Sequence, residues 1–515
     1  MKKLTLLAFI ALTTCFPLSV HAADGTPLWT NAVSQLPGLA PGLTSARAIA
    51  VDTNGNSIVT GYYINPQSNS DFITVKYSPG GGIIWARAKD GAAGNDVANA
   101  VTVDTSGNVY VTGTSPGAGT GNDFLIVKYS SGGLQIQQLR YNSGGSNDDF
   151  ATALAVNVSG EICVAGQTIV SSTNSTWKTV KFSSAGVLLW TNSFSGAGIG
   201  FDQVKAIAAD TSGGVYVTGY ATDVASNFDY ATVKYSSAGT LLWVNKFHGI
   251  SSGDDLVQSM ALDSEGNTYV TGIAPGIAGS FDYATIKISG SGQGVWTNIY
   301  NGPGNSDDEA AAVALDPAEN VYVTGTSIGA GGAYGYVTIK YSNAGVPQWT
   351  NFFNGVGNRG GEAVSLAVDG SANAYVTGTS FGGLRPDEFA TVKYASDSEA
   401  LWTNLYGGGI AAGVAADING NAYVTGSSGG VIATLQYSAA VAPLAFITTN
   451  GNFGPFNNQF VLSLSGPVGS HAIVSATTNF QTWIPIATNQ IPTGSLQVTD
   501  TLAPNKLRFY RAQLQ

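Results

Sequence analysis

Five aspartates stand 53 residues apart in this chain: Asp96, Asp149, Asp202, Asp255 and Asp308. Asp148, Asp254 and Asp307 sit directly beside three of them. A second series, Asp71, Asp123, Asp229, Asp282 and Asp387, recurs at similar spacing. Carboxylates gathered with backbone carbonyls suit Ca2+. An acidic surface also suits a basic partner. A carboxylate pair such as Asp254/Asp255 or Asp307/Asp308 is what a glycosidase or lyase needs, provided the separation is right. The competing reading is structural: each aspartate caps a strand entry through backbone amides. Asp96, Asp149, Asp202, Asp255, Asp308, Asp229 and Asp282 form the expected binding set, with Ca2+ as the one cofactor they suit. No catalytic residue is assigned. "DTNGNS" (52–57) comes near a calcium loop but lacks the distal glutamate.

Other chemistry is sparse. Cys15 lies in the N-terminal apolar stretch, so Cys163 stands alone and no internal disulfide is expected. It is read as a buried, inert thiol. Only His248 and His471 lie beyond residue 22, which argues against histidine-based metal sites and Ser-His-Asp catalysis. Lys76, Lys128, Lys181, Lys234, Lys287, Lys340 and Lys393 recur, with Gln436 in the eighth slot. Their expected role is Asp–Lys pairing from blade to blade, with snorkelling stems. Trp85, Trp190, Trp243, Trp296, Trp349 and Trp402 recur too, with Gln138 read into the gap after Trp85. They read as packing residues, not sugar platforms. Tyr334 and Phe381, in connecting loops, are better binding aromatics.

The elements that position these residues follow from one string. "DTSGNVYVTG" (104–113) returns in eight variants whose final glycines fall at 61, 113, 166, 219, 272, 325, 378 and 426. A fixed period of this size marks a stacked or circular repeat. Each unit holds four runs rich in Val, Ile, Tyr, Thr and Trp, as in "VKAIAAD", "GVYVTGY", "DYATVKY" and "TLLWVNKF" of 204–247. The recurring string is the hairpin between the first two. Asp opens a type I turn and the glycine three residues on takes the left-handed position of a bulge. Glu319 and Ala372 replace that glycine, so those turns should be strained or shifted in register. The last unit lacks a fourth strand, and "PLWTNAV" (27–33) resembles one. Trp29 should therefore complete the last blade and close the ring, removing exposed edges.

The expected architecture is all-β: an eight-bladed β-propeller over 25–438, a linker at 439–447 and a small β-sandwich at 448–515. The units resemble the SBBP-type bacterial β-propeller repeat, with "VKY" and "LLW" followed by "AVD" and "GNVYVTG" as hallmarks. The resemblance covers about four-fifths of the chain and implies a secreted propeller; the family has no common reaction and lends no catalytic residue. "LSGPVGS", "TTNFQTW" and "RFYRA" make the C-terminal segment similar to a β module that ends many secreted bacterial proteins.

The leader "MKKLTLLAFIALTTCFPLSVHA" has the form of a secretory signal, cut after Ala22. Export to the periplasm, cell surface or medium of a bacterium is expected. Loss of Lys2 and Lys3 takes the formal charge from −11 to −13, which argues against nucleic acid. No later run reaches the roughly 18 apolar residues of a membrane span. The reading favoured is a monomeric binding or scaffold protein for an extracellular protein or polysaccharide. The alternatives are a carbohydrate-active hydrolase or lyase, a quinoprotein-like dehydrogenase suggested by the "LLW" strands, and a purely structural surface protein. The adjacent cysteine pair that such dehydrogenases often carry is absent.

Overall fold

The computed structural model describes residues 27–438, apart from 33–35, 92–93, 277–278, 330 and 383–385, and seven strands between 445 and 514. The proposed signal at 1–22 and the linker lie largely outside the described residues.

Between 27 and 437 the chain forms eight four-stranded antiparallel sheets. In blade IV the strands run a (Gln203–Ala209), b (Val215–Thr222), c (Phe228–Tyr235) and d (Leu241–Phe247). Blades I to VII repeat this order. Each strand a touches strand a of the next blade, and that of blade VIII (Gly409–Ala416) touches that of blade I (Thr44–Val51), so the ring is closed. Closure comes from the N-terminal strand Pro27–Ala32, which pairs with Val431–Tyr437 as the fourth strand of blade VIII.

The alternation of the sequence sets the layers. Strands b and c are buried on both faces because blades pack against them from either side. Between blades III and IV, for example, Cys163, Val215, Val217, Val233 and Tyr235 meet in one apolar cluster. Strand d is half exposed at the rim.

Each a–b hairpin turns as its sequence dictates. The amide of Gly55 reaches the carbonyl of Asp52, with Gly55 left-handed at φ 75°. Glu319 and Ala372 keep the same register at φ 60° and 64°, so those two turns are strained and not shifted. A β-bulge also recurs near the start of every strand a, for example between Val257 and Ser259. In blades V to VII the extra residue, Gln258, Ala311 or Val364, lines one recess.

Five of the seven C-terminal strands, including Gln459–Ser465, His471–Thr477 and Phe509–Leu514, fall on the runs expected from sequence. They form two small antiparallel sheets, and how these pack lies outside the described residues.

Candidate functional site

Chain direction divides the ring into two faces. One carries the a–b and c–d hairpins, the other the loops that lead into strands a and c.

On the hairpin face the repeated polar residues bind one another. In blade VI the Tyr322 hydroxyl donates to Asp316 Oδ2, while Lys340 Nζ lies 4.9 Å from the Tyr322 ring centre and 3.6 Å from Asp316. Blade IV repeats this with Tyr216, Lys234 and Asp210. Ile58 and Cys163 stand in the tyrosine's place in blades I and III. There the lysine closes directly on its acid: Lys76 on Asp52 at 2.8 Å and Lys181 on Glu161 at 2.7 Å. These pairs lie within a blade, which corrects the expected blade-to-blade pairing. The hairpin brings its Asp back beside strand c of the same sheet. What crosses to the next blade is a lysine–carbonyl bond, as from Lys340 to Ser396 at 3.0 Å. Cys163 is fully buried and its thiol is pushed up to about 12 by burial, so it is inert.

The tryptophans also cross between blades. Trp190 Nε1 donates to Ser237 O at 3.1 Å, and Asn192 donates to Gly239 O at 2.8 Å. Trp29 and Asn31 make the same bonds to Pro79 and Gly81, which fastens blade VIII to blade I. Gln137, not Gln138, occupies the tryptophan's register in blade II, because it pairs with Lys128 as Trp190 pairs with Lys181.

On the opposite face, Asp96, Asp149, Asp202, Asp255 and Asp308 are each at most 1% exposed. Four accept the amide six residues earlier: Ser143 for Asp149, Gly196 for Asp202, Gly249 for Asp255 and Gly302 for Asp308. Asp96 accepts from Gly91. They shape the d–a loop and do not form an open acidic ring. Their neighbours turn elsewhere. Asp148, Asp254 and Asp307 accept the amides of Asn122, Phe228 and Phe281 in the preceding blade. Asp254/Asp255 and Asp307/Asp308 therefore point at different partners, and in each pair the second carboxyl is sealed from any substrate.

The strand-c aspartates meet these carboxyls across the blade junctions. Asp71 gathers with Asp90 and Asp96, and Asp229 gathers with His248 and Asp255. Asp282 is raised by burial and by Asp308 beside it. Asp123 instead pairs with Arg140 at 3.0 Å. Asp387 accepts the amide of Gly382.

A group of exposed acids also stands on this face. A recess of about 440 Å³ opens at the channel mouth across blades V to VII. Asp307, Glu309 and Glu362 line it, with Gln258 and Tyr334. Burial, then the charges of Asp307 and Glu362, raise the Glu309 carboxyl. Tyr334 is 45% exposed. Glu309 and Glu362 stand one residue into strand a from the aspartate position. Six other blades have Ser45, Val97, Phe150, Gln203, Leu256 and Ile410 there. The sequence signal was this paired break in the repeat, in a slot adjacent to the conspicuous aspartates. Phe381 is half buried and lies outside the recess.

Residues 91–119 and 401–432 match the sequence model of the SBBP β-propeller repeat. No curated protein matches the chain. Among solved structures, the Dos1 propeller is similar at 8% identity and a TM-score of 0.50, covering 76% of this chain and 92% of that one. A eukaryotic initiation factor structure is similar at 11% identity and a TM-score of 0.40, covering 75% of this chain and 82% of that one. The β-propeller domain of the Trilobed protease from Pyrococcus furiosus is similar at 8% identity and a TM-score of 0.40, over 67% of this chain and 96% of that one. The repeat match and the likeness to the Dos1 propeller, which at this identity shows the fold alone, make the chain a β-propeller repeat protein.

Proposed function

We propose that this β-propeller is a secreted binding protein that docks a basic segment of an extracellular partner protein at the channel-mouth recess of blades V to VII. The observation that carries this reading is the convergence of Asp307, Glu309 and Glu362 beside exposed Tyr334. Mutual repulsion there is relieved by a cation, and an exposed phenol ring adds a cation–π contact for a lysine or arginine. The form of residues 1–22, a basic start, an apolar run and a small-residue cut site, supports an extracellular setting.

The test is a fluorescence-anisotropy titration of residues 23–515 with a labelled oligolysine peptide. Glu309→Gln and Glu362→Gln should each weaken binding about tenfold, about 1.4 kcal/mol. Raising the salt concentration should weaken the wild-type complex as well. Equal affinity in all three proteins would overturn the proposal. Salt-insensitive binding of a neutral polysaccharide with no binding of the peptide would overturn it in favour of a glycan ligand.

A further inference from the structure

His248 follows strand d of blade IV, five residues after Trp243. The same slot holds Asp90, Asn142, Ser195 and Asn301 in blades I, II, III and V. Its Nδ1 lies 3.0 Å from Asp229 Oδ1, at the start of strand c, and 3.4 Å from Asp255 Oδ2, at the entry to blade V. One donor atom from each residue falls within 4.8 Å of the other two.

Three features separate this group from an ordinary surface ion pair. First, the donor set is mixed: one imidazole nitrogen and two carboxylates, the set that zinc-type cations take. Second, the edge of a tetrahedron with metal–ligand bonds of about 2.0–2.2 Å is about 3.3–3.6 Å long. The separations around Nδ1 are already near that size, so an ion needs only small side-chain shifts. Third, Asp255 is fully buried; its Oδ2, the oxygen facing His248, accepts the Gly249 amide, and its Oδ1 has no hydrogen-bond partner among the described residues. A buried, half-satisfied carboxylate calls for a cation. The imidazole itself is 48% exposed, which gives an ion an entry path and leaves room for a water as fourth ligand.

We infer that Asp229, His248 and Asp255 form a binding site for a zinc-type divalent cation at the junction of blades IV and V. The equivalent junction of blades I and II, with Asp71, Asp90 and Asp96, supplies only oxygen. It is the internal reference, because oxygen-only sets favour harder cations. Bound at blades IV and V, the metal would tie strand c and the d–a loop of one blade to strand a of the next.

The experiment is isothermal titration of the full mature chain with Zn2+ alone, paired with visible absorption on adding Co2+. The wild type should bind Zn2+ and give the intense bands of tetrahedral Co2+. His248→Asn places in blade IV the residue that blades II and V already carry in that slot, so the variant should fold. It should lose the Co2+ bands and bind Zn2+ at least about tenfold more weakly. Asp71→Asn should change neither readout. Absence of Zn2+ heat and Co2+ bands in the wild type would overturn the inference and leave a His–Asp ion pair. Binding that survives His248→Asn but falls in Asp71→Asn would overturn it as well, moving the ion to the oxygen-only junction. Both readouts are independent of the channel-mouth recess, so they stand or fall apart from the docking proposal.

Discussion

The residues that recur most visibly are spent on holding the ring. Lys76 and Asp52 are 3% and 1% exposed at the side chain and lie 2.8 Å apart. Removing one partner leaves a buried charge. Lys76→Met should therefore lower stability by about 3 kcal/mol, and the double variant Asp52→Asn/Lys76→Met should recover much of that in a urea melt. Burial alone would raise Asp52; the bonds from Lys76 and Asn56 outweigh it and hold the carboxyl below its usual range. Burial is likewise outweighed at Asp104 by Asn108 and Tyr110, and at Glu161 by Lys181. A folded-state pKa below the unfolded one adds stability above the unfolded value, near 4. That contribution disappears as pH falls through the lower folded value. The melting temperature should therefore drop below about pH 4, and less steeply in the double variant. The spacing of these residues was legible in the sequence, but their partners were not. How closely the lysine approaches the turn aspartate depends on whether a tyrosine hydroxyl already holds it, as Tyr322 does and Ile58 does not, and in blade III Asn157 leaves Glu161 as the acid.

At the scale of the element, the blade-to-blade fastening is a Trp-x-Asn on strand d seated over the c–d turn of the next blade. Gly239 in that turn is left-handed at φ 86°, and an added Cβ would meet Trp190 Cγ at 2.7 Å. Gly239→Ala should cost about 2–4 kcal/mol, from the left-handed backbone and the displaced indole together. Calorimetry on that variant beside Gly80→Ala, whose Cβ would meet only Ser78 Oγ at 3.9 Å, separates this effect from a general loss of glycine. The hairpins were fully legible, because their turn chemistry is local. The tryptophan register in blade II was read one residue off, at Gln138. No tryptophan marks the slot there, and only the pairing of Lys128 with Gln137 fixes it.

At the scale of the whole molecule, the ring depends on one strand from the far end of the chain. A protein beginning at residue 33 leaves blade VIII with three strands and an open edge. It should melt at a lower temperature and self-associate in sedimentation. A synthetic peptide of residues 23–35 should reverse both effects by restoring the strand. This closure was readable from sequence because Pro27–Ala32 repeats the strand-d pattern. The recess was not, because it depends on which strand entries of three blades converge at the mouth, and the buried aspartates were the louder signal. The molecule divides its labour: capping aspartates build the face, and Glu309 with Glu362 act on it. The most direct test of that division measures melting temperature and oligolysine affinity together in Asp202→Asn and in Glu309→Gln/Glu362→Gln. Asp202→Asn should lower the melting temperature with affinity unchanged, and the glutamate pair should lose affinity with no loss of stability. Loss of affinity in Asp202→Asn at full stability, with the glutamate variant still binding, would contradict it.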